Sequence, residues 1–593
     1  MMYAGKQGRG RNDGSQKAKD VRYVLRRLGA YLVYYKRKLI FAIFIAILSN
    51  VLSLIGPFLT GRTISAMEDG VDFEKVFFFA GLMIIFYLLS TMMSYLLSKA
   101  MIRVSQSVVY KMRKDLFAKL NRVPISYFDQ NQTGDIISKM SYDIDTINTS
   151  LANDVISSIT SVITIIISFV MMILMSPILV LVFIITLPIS ITLTRVLSKI
   201  VKKKYRIRNQ KLGEMNGFAE EMISGQRTIQ SYVQEEAVLE KFDEINEEAT
   251  KASYESGYYS TTVGPSVNFV SNLSVALVGV FGGILYFRGL ITLGNLTSFT
   301  LYSRRFSGPI NMMSNIFADI QSALAAAERV FKVIDYDEEP KDQDDAITLE
   351  DIQGEITFDD VSFRYVVNQP ILQHVSFKAK PGQVVAIVGP TGAGKTTLVN
   401  LLMRFYDIDQ GIIRLDHYDT KEIKRQSLRK SFSMVLQDTW IFYGTVHDNI
   451  AYGNGNVSRL EVEEAAKKAR IHGFISHLPD GYDTILKEDG LSISKGQKQL
   501  LVIARAMLSK TKMLILDEAT SNVDTHTEVQ IQKAMLSLME DKTTFVIAHR
   551  LSTIERADLI LVIKDGNIVE QGTHESLMTD QGFYYDLYQS QFA

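Results

Sequence analysis

Apolar residues are spread unevenly along the chain, and their clustering draws its organisation. Before residue 326, six apolar stretches are long enough to cross a hydrocarbon core of about 30 Å as helices. They lie near Leu39–Thr60, Val76–Lys99, Val155–Met175, Ile178–Leu197, Asn268–Phe287 and Leu296–Ala323. Ser176-Pro177 alone divides the third from the fourth, a tight turn at one membrane face, and Arg288–Asn295 divides the last two. Residues 101–154 and 198–262 are long, charged and helix-patterned without turn clusters, which predicts membrane helices that continue into water. The stretch Val21–Lys38 mixes Val24, Leu25, Leu28 and Leu32 with Arg26, Arg27 and Lys36. It fits an amphipathic helix lying on the inner leaflet and, equally, an extension of the first span. After the last span, acids crowd around Pro340, and from Gly354 onward strands alternate with helices as in a soluble α/β domain. The pattern therefore predicts a disordered tail over 1–20, a membrane domain over 21–330 with an interfacial helix and six spans, an acidic linker over 331–353 and an α/β domain over 354–593.

Charge then orients this map. Residues 1–38 carry eleven Lys or Arg against two acids, and Lys202-Lys203-Lys204-Tyr205-Arg206-Ile207-Arg208 follows the fourth span. Both belong in the cytoplasm by the positive-inside rule, while the acidic loop Arg62–Lys75 falls outside. An even number of spans returns the C-terminal domain to the cytoplasm. A net charge of zero gives no overall attraction to nucleic acid. The absence of cysteine among 593 residues excludes disulfides, thiolate metal sites and a cysteine nucleophile. The single tryptophan, Trp440, leaves aromatic belts to tyrosines such as Tyr87, Tyr95 and Tyr286. No short apolar stretch with a small-residue cleavage site opens the chain, so no removable signal peptide is expected.

The chemistry is concentrated in the α/β half. Gly389-Pro390-Thr391-Gly392-Ala393-Gly394-Lys395-Thr396 follows the apolar run Val384–Val388 and reads as a phosphate-binding loop between a buried strand and a helix. Its glycines let backbone N–H groups close around phosphates, Lys395 neutralises the β and γ oxygens, and the Thr396 hydroxyl is placed for Mg²⁺. Further on, Met513-Leu514-Ile515-Leu516-Asp517-Glu518 is an apolar strand ending in two acids. Asp517 suits Mg²⁺, directly or through water, and Glu518 suits polarisation of the attacking water.

This order of motifs resembles the ATP-binding cassette transporters, and among them the exporters that fuse six spans to one nucleotide domain. The resemblance covers the chain from about residue 21 to its end. It implies an α-helical six-span transmembrane domain with an elbow helix, followed by a cytoplasmic α/β P-loop ATPase domain that takes ATP and Mg²⁺. It also implies roles for single residues. Tyr365, which otherwise reads as a strand packing residue, matches the aromatic residue that stacks on adenine. Thr397 joins the phosphate loop in lining the nucleotide, and Gln437 in Val435-Leu436-Gln437-Asp438 matches the glutamine that senses Mg²⁺ and the membrane domain. Asp524 matches the loop that crosses to the partner, and His549 the histidine that contacts the γ-phosphate. Lys395, Gln437, Glu518 and His549 are the expected catalytic set. Short coupling helices are expected near Asp135–Asp145 and near Glu220–Gln230.

One position departs from the family pattern. The signature Leu-Ser-Gly-Gly-Gln corresponds here to Ile493-Ser494-Lys495-Gly496-Gln497. Ser494, Gly496 and Gln497 match, but Lys495 replaces a glycine beside which backbone is expected to approach phosphate closely. A side chain there either obstructs closure or adds a cation. Because each nucleotide site in this family joins one chain's phosphate loop to the other chain's signature, the departure favours a heterodimer with one impaired site over a homodimer. The resemblance implies ATP-driven export of amphiphilic drugs or lipids by alternating access across a plasma membrane, in a bacterium. A homodimeric exporter or lipid flippase and an ATP-gated channel are the alternatives. Arg304 and Arg305, beside Gly308-Pro309 and followed by Asn311 and Asn315, are cavity candidates or else pair internally or reach an interface. Asn268 and Asn272 are cavity candidates or bond between helices.

Overall fold

The computed structural model describes residues 20–68, 70–437, 439–486, 493–517, 524–548 and 551–592. The chain divides into two compact units. One is helical and takes the residues up to Arg122 together with Gln132–Asp337; the other takes Val123–Asn131 and the residues from Glu338 onward.

In the helical unit, Val21–Val33 is a helix of its own, separated from Lys36–Glu68 by a turn at Tyr34-Tyr35. Long helices then follow over Phe73–Leu120, Val155–Met175, Pro177–Ser224, Glu235–Phe287 and Leu293–Ile334. Their starts are legible in local chemistry. The Asp72 carboxylate accepts from the Lys75 N–H at 3.1 Å, and the Thr292 hydroxyl from the Asn295 N–H at 3.1 Å. Ser176 caps Pro177–Ser224 with Pro177 at the first turn, where a missing N–H costs nothing. Phe73–Leu120 and Pro177–Ser224 are 48 residues each, roughly 72 Å at 1.5 Å per residue, more than twice the hydrocarbon thickness. Polar side chains join the helices within the unit. Ser49 and Ser90 each donate to the other's carbonyl at 3.1 and 2.9 Å, and Ser298 donates to the Pro57 carbonyl at 2.9 Å.

Among the described residues, five helices are long and apolar enough to cross a membrane: Lys36–Glu68, Phe73–Leu120, Thr133–Met175, Pro177–Ser224 and Glu235–Phe287. The sixth expected span lies within Leu293–Ile334, which is helical throughout but is not among those five. Arg304, Arg305 and a series of Ser, Thr and Asn residues dilute its apolar character.

In the second unit, β1 (Ile356–Val366), β2 (Gln369–Ala379), β4 (Gln410–Leu415) and β5 (Tyr418–Asp419) form an antiparallel sheet in the order β2-β1-β4-β5. A second sheet runs β12-β11-β3-β10-β9-β6, from β3 (Val384–Val388), β6 (Phe432–Val435), β9 (Met513–Asp517), β10 (Thr543–Ile547), β11 (Leu559–Lys564) and β12 (Asn567–Gly572). All its pairings are parallel except β11 with β12. The short strands β7 (Gly444–Thr445) and β8 (Ile485–Leu486) pair separately. Ala386, Val388, Leu514, Leu516 and Val546 pack into one core, while Val385, Ile387, Met513, Ile515 and Phe545 pack into another on the opposite face. A sheet buried on both faces needs apolar side chains at every position, which is why these strands read as unbroken hydrophobic runs.

Two of the acids after the last helix, Glu339 and Asp342, are held by arginines. Glu339 receives the Arg429 guanidinium (Nη1 at 3.0 Å), and Asp342 accepts from the Arg425 N–H at 3.0 Å, within the second unit.

Candidate nucleotide-binding site

The site forms where parallel strands end together. Ile387 is level with Ile547, Ile547 with Asp517, and Leu516 with Val435. The loop leaving β3, Asp517 at the end of β9 and Gln437 just beyond β6 therefore come to one edge of the sheet, the carboxyl edge at which open α/β sheets bind ligands. The loop turns sharply at Gly389, whose φ of +151° and close approach to the Ile563 backbone leave no room for a side chain. The helix Lys395–Leu402 starts immediately after Gly394 and directs its free N–H groups into the loop.

Lys395 is half-buried in this turn. Its ammonium donates to the Gly389 carbonyl at 2.6 Å and the Pro390 carbonyl at 3.1 Å. Burial pulls its pKa below the ordinary lysine value, and the Asp517 carboxylate opposes that shift. A partly desolvated cation with neutral carbonyls as hydrogen-bond partners, at a helix N-terminus, suits an anionic ligand, so the residues present fit the triphosphate of a nucleotide. Thr391 and Thr396 are exposed at the loop, and Ala393 and Thr397 are buried beneath it. Among the described residues, no group of three or more His, Asp or Glu side chains is arranged for a metal.

Tyr365, near the end of β1, donates to the Thr397 hydroxyl at 3.3 Å and accepts from the Asn400 amide at 3.2 Å. Its ring stands edge-on to Phe363 and Tyr406, each at 4.8 Å between centroids, and is 42% exposed. An exposed aromatic ring is thereby held beside the phosphate-loop helix. Tyr406 in turn donates to Asp129. Asp129 belongs to the short helix Ile125–Gln130, which lies in the same unit as the sheet although its neighbours in sequence belong to the helical unit. In the region near Asp135–Asp145, where a coupling helix is expected, residues 132–145 belong to the helical unit, whereas Val123–Asn131 belongs to the unit of the sheets. Local sequence gave no signal for it, because Ile125–Gln130 is a six-residue helix begun by Pro124 with no apolar period to detect. A second short helix, Gln226–Ser231, interrupts the long helices within the Glu220–Gln230 region.

The signature residues open the helix Lys495–Leu508. The Ser494 hydroxyl accepts from the Gln497 N–H at 3.2 Å while the Gln497 side chain accepts from the Ser494 N–H at 2.9 Å, a reciprocal cap. Gly496 is buried and Lys495 is exposed. Lys495 is the first residue of a right-handed helix and does not have positive φ. Any residue takes this backbone, and the lysine side chain is exposed. Asp524 caps the helix Thr525–Met539, accepting from the Thr527 N–H at 2.9 Å, and that bond holds its carboxyl below the usual range. Glu518 and His549 lie outside the described residues.

A phosphate loop, a strand-end acid and a capped signature helix, on a chain with membrane-length helices, define an ATP-hydrolysing cassette joined to a membrane domain. The comparisons with known proteins agree. Residues 39–310 match the family described as ABC transporter transmembrane region, and residues 372–521 match the family described as ABC transporter. The chain belongs to the ABC transporter family, and it is an ATPase coupled to movement of a substrate across a membrane that it crosses several times. An uncharacterized ABC transporter ATP-binding protein of Bacillus subtilis, YfiC, is 41% identical over 97% of this chain and 95% of its own length. A fatty acid ABC transporter ATP-binding/permease protein of Mycobacterium bovis is 40% identical over 88% and 82%. An ATP-dependent lipid A-core flippase of Syntrophus aciditrophicus is 34% identical over 86% and 84%. Among solved structures, a bacterial Atm1-family ABC exporter with ATP bound superposes with a TM-score of 0.75 at 30% identity, covering 94% of this chain and 98% of its own.

Proposed function

We propose that this chain is one half of a dimeric exporter that uses ATP to move an amphiphilic small molecule, a drug or a lipid, out across a bacterial plasma membrane by alternating access. The observation that carries the reading is the pairing of Lys395 with Asp517 at one edge of the sheet, in a chain that also carries a Ser494-capped helix and membrane-length helices. In this reading residues 21–330 form the membrane domain with an elbow helix and six spans, Leu293–Ile334 supplying the sixth, and residues 354–593 form the nucleotide domain, with both termini cytoplasmic. ATP bound between two such domains supplies the γ-phosphate contacts that favour closure. Tyr365 stacks on adenine; the phosphate loop, Lys395 and Thr397 bind the triphosphate; Thr396, Gln437 and Asp517 hold Mg²⁺. Glu518 polarises the attacking water, His549 contacts the γ-phosphate, and Ser494, Gly496, Gln497 and Asp524 serve across the dimer interface.

Two partner arrangements follow from different observations. Lysine in place of the signature glycine favours a heterodimer with one impaired site. The outward, helical placement of Lys495 and the intact Ser494 cap favour a working signature and a homodimer. The mass and ATPase activity of the chain purified alone decide between them: a dimer of identical chains with full substrate-stimulated hydrolysis removes the heterodimer. The export reading itself is tested in proteoliposomes, where ATP-dependent accumulation of lipid or drug probes is expected, and unitary ATP-gated currents without accumulation would establish a channel instead.

A further inference from the structure

The last long helix carries two adjacent arginines whose depth the structure sets. The Arg305 guanidinium reaches the Ser53 hydroxyl at 3.4 Å. On the same pair of helices, Ser298 donates to the Pro57 carbonyl at 2.9 Å and Tyr302 to the Leu54 carbonyl at 2.5 Å, which aligns them over two turns. Ser53 stands seven residues before Thr60, the end of its apolar stretch, roughly 10 Å at 1.5 Å per residue. Arg304 and Arg305 are eleven and twelve residues beyond Leu293, the start of their own helix, roughly 17 Å along it. Both guanidinium groups thus lie well within a hydrocarbon core of about 30 Å.

A cation at that depth needs a counter-charge. Among the described residues, neither arginine has an ion-pair partner; the pairs this helix does form, Arg329 with Asp143 and Lys332 with Glu328, stand far along it. Asp319, the nearest acid that follows on the same helix, is fourteen residues beyond Arg305, roughly 21 Å. Phe299, Tyr302, Ser303 and Phe306 fill the packed face of the helix, and the arginines are exposed on the remainder with the exposed apolar side chain of Met312 two turns further on. Two planar donors beside apolar surface match a molecule with an anionic head and a hydrocarbon body.

We propose that Arg304 and Arg305 form a subsite for the anionic head group, carboxylate or phosphate, of the exported amphiphile, and that lipophilic cations are disfavoured there. This rests on the export reading above and narrows its substrate to acidic amphiphiles.

The test measures binding of four probes sharing one fluorescent alkyl chain, with carboxylate, phosphate, alcohol and quaternary ammonium heads, to the full chain in nanodiscs of zwitterionic lipid. The expected result is at least tenfold tighter binding of an anionic probe than of the alcohol, with the ammonium probe weakest. Arg304→Gln with Arg305→Gln removes the preference, and the double Lys variant retains part of it. The carboxylate and phosphate arms identify the head group, and competition by added anionic lipid tells a bilayer lipid from a soluble amphiphile. Equal binding of the anionic and alcohol probes by the native chain, an undiminished preference in the double Gln variant, or tighter binding of the ammonium probe overturns the proposal. Binding decides it independently of transport: if the preference behaves as expected while ATP drives uptake of no probe, the subsite stands and the export reading fails.

Discussion

Alanine at Gly389 and at Gly392 separates two ways of damaging the phosphate loop. Both glycines have positive φ, +151° and +85°, so each alanine carries a backbone strain of about 1–2 kcal/mol. Their surroundings differ. A Cβ at Gly389 would overlap the Ile563 carbonyl oxygen and stand 3.2 Å from its carbon, whereas a Cβ at Gly392 meets nothing within 4 Å. Ile563 cannot retreat cheaply, because β11 is paired with β3 from Leu559↔Val385 to Val562↔Val388. Overpacking of this kind adds about 2 kcal/mol, giving about 3–4 kcal/mol at Gly389 against about 1–2 at Gly392. For a domain of this size the corresponding falls in Tm are about 10 °C and about 4 °C. Trp440, the only tryptophan, lies in the second unit, so intrinsic fluorescence during heating follows that unit alone. Nucleotide titration completes the experiment: Gly389→Ala loses stability and binding together, and Gly392→Ala loses binding with little loss of stability. Equal falls in Tm for the two variants would refute the steric argument.

Two other predictions concern contacts within each unit. Tyr406→Phe keeps the ring packing against Tyr365 and Phe363 but deletes the hydrogen bond to Asp129. Nucleotide affinity is expected to change less than twofold while substrate moved per ATP hydrolysed falls severalfold, and an unchanged ratio of transport to hydrolysis would remove Tyr406 from the coupling path. In the helical unit, Arg329 grips Asp143 through Nε at 2.9 Å and Nη2 at 2.5 Å, with the Asp143 side chain 4% exposed and that of Arg329 42%. Arg329→Met leaves a buried carboxylate unpaired and is expected to cost about 3 kcal/mol, whereas Asp143→Asn leaves a half-exposed cation and costs about 1 kcal/mol. Denaturation followed by circular dichroism should show that order, and the reverse order would contradict it.

What was legible in the sequence was what is contiguous there. The phosphate loop, the strand ending in Asp517 and the long apolar helices are each coded within a few consecutive residues, since strand, turn and span chemistry are local. Features that depend on distant pairing left no such trace. Tyr406 and Asp129 are 277 positions apart, and the Ile125–Gln130 helix is recognised only by the unit it packs into. Glu339 and Asp342 looked like solvated linker acids because Arg425 and Arg429, which bind them, lie more than 80 residues away. At Lys495 the sequence shows the departure from glycine but not the backbone the residue takes, which the Ser494-capped helix start sets as ordinary right-handed helix. The helix Leu293–Ile334 fell short in apolarity because Ser, Thr and Asn residues and the two arginines are interspersed along it.

The central claim is that ATP hydrolysis at this chain's nucleotide domain drives substrate movement through its helices. It is tested most directly by ATP-dependent uptake of an acidic amphiphile into inside-out vesicles containing the native complex or its Glu518→Gln variant. The account predicts uptake by the native complex, and ATP binding without hydrolysis or uptake by the variant. Undiminished hydrolysis and uptake with glutamine at position 518 would contradict it.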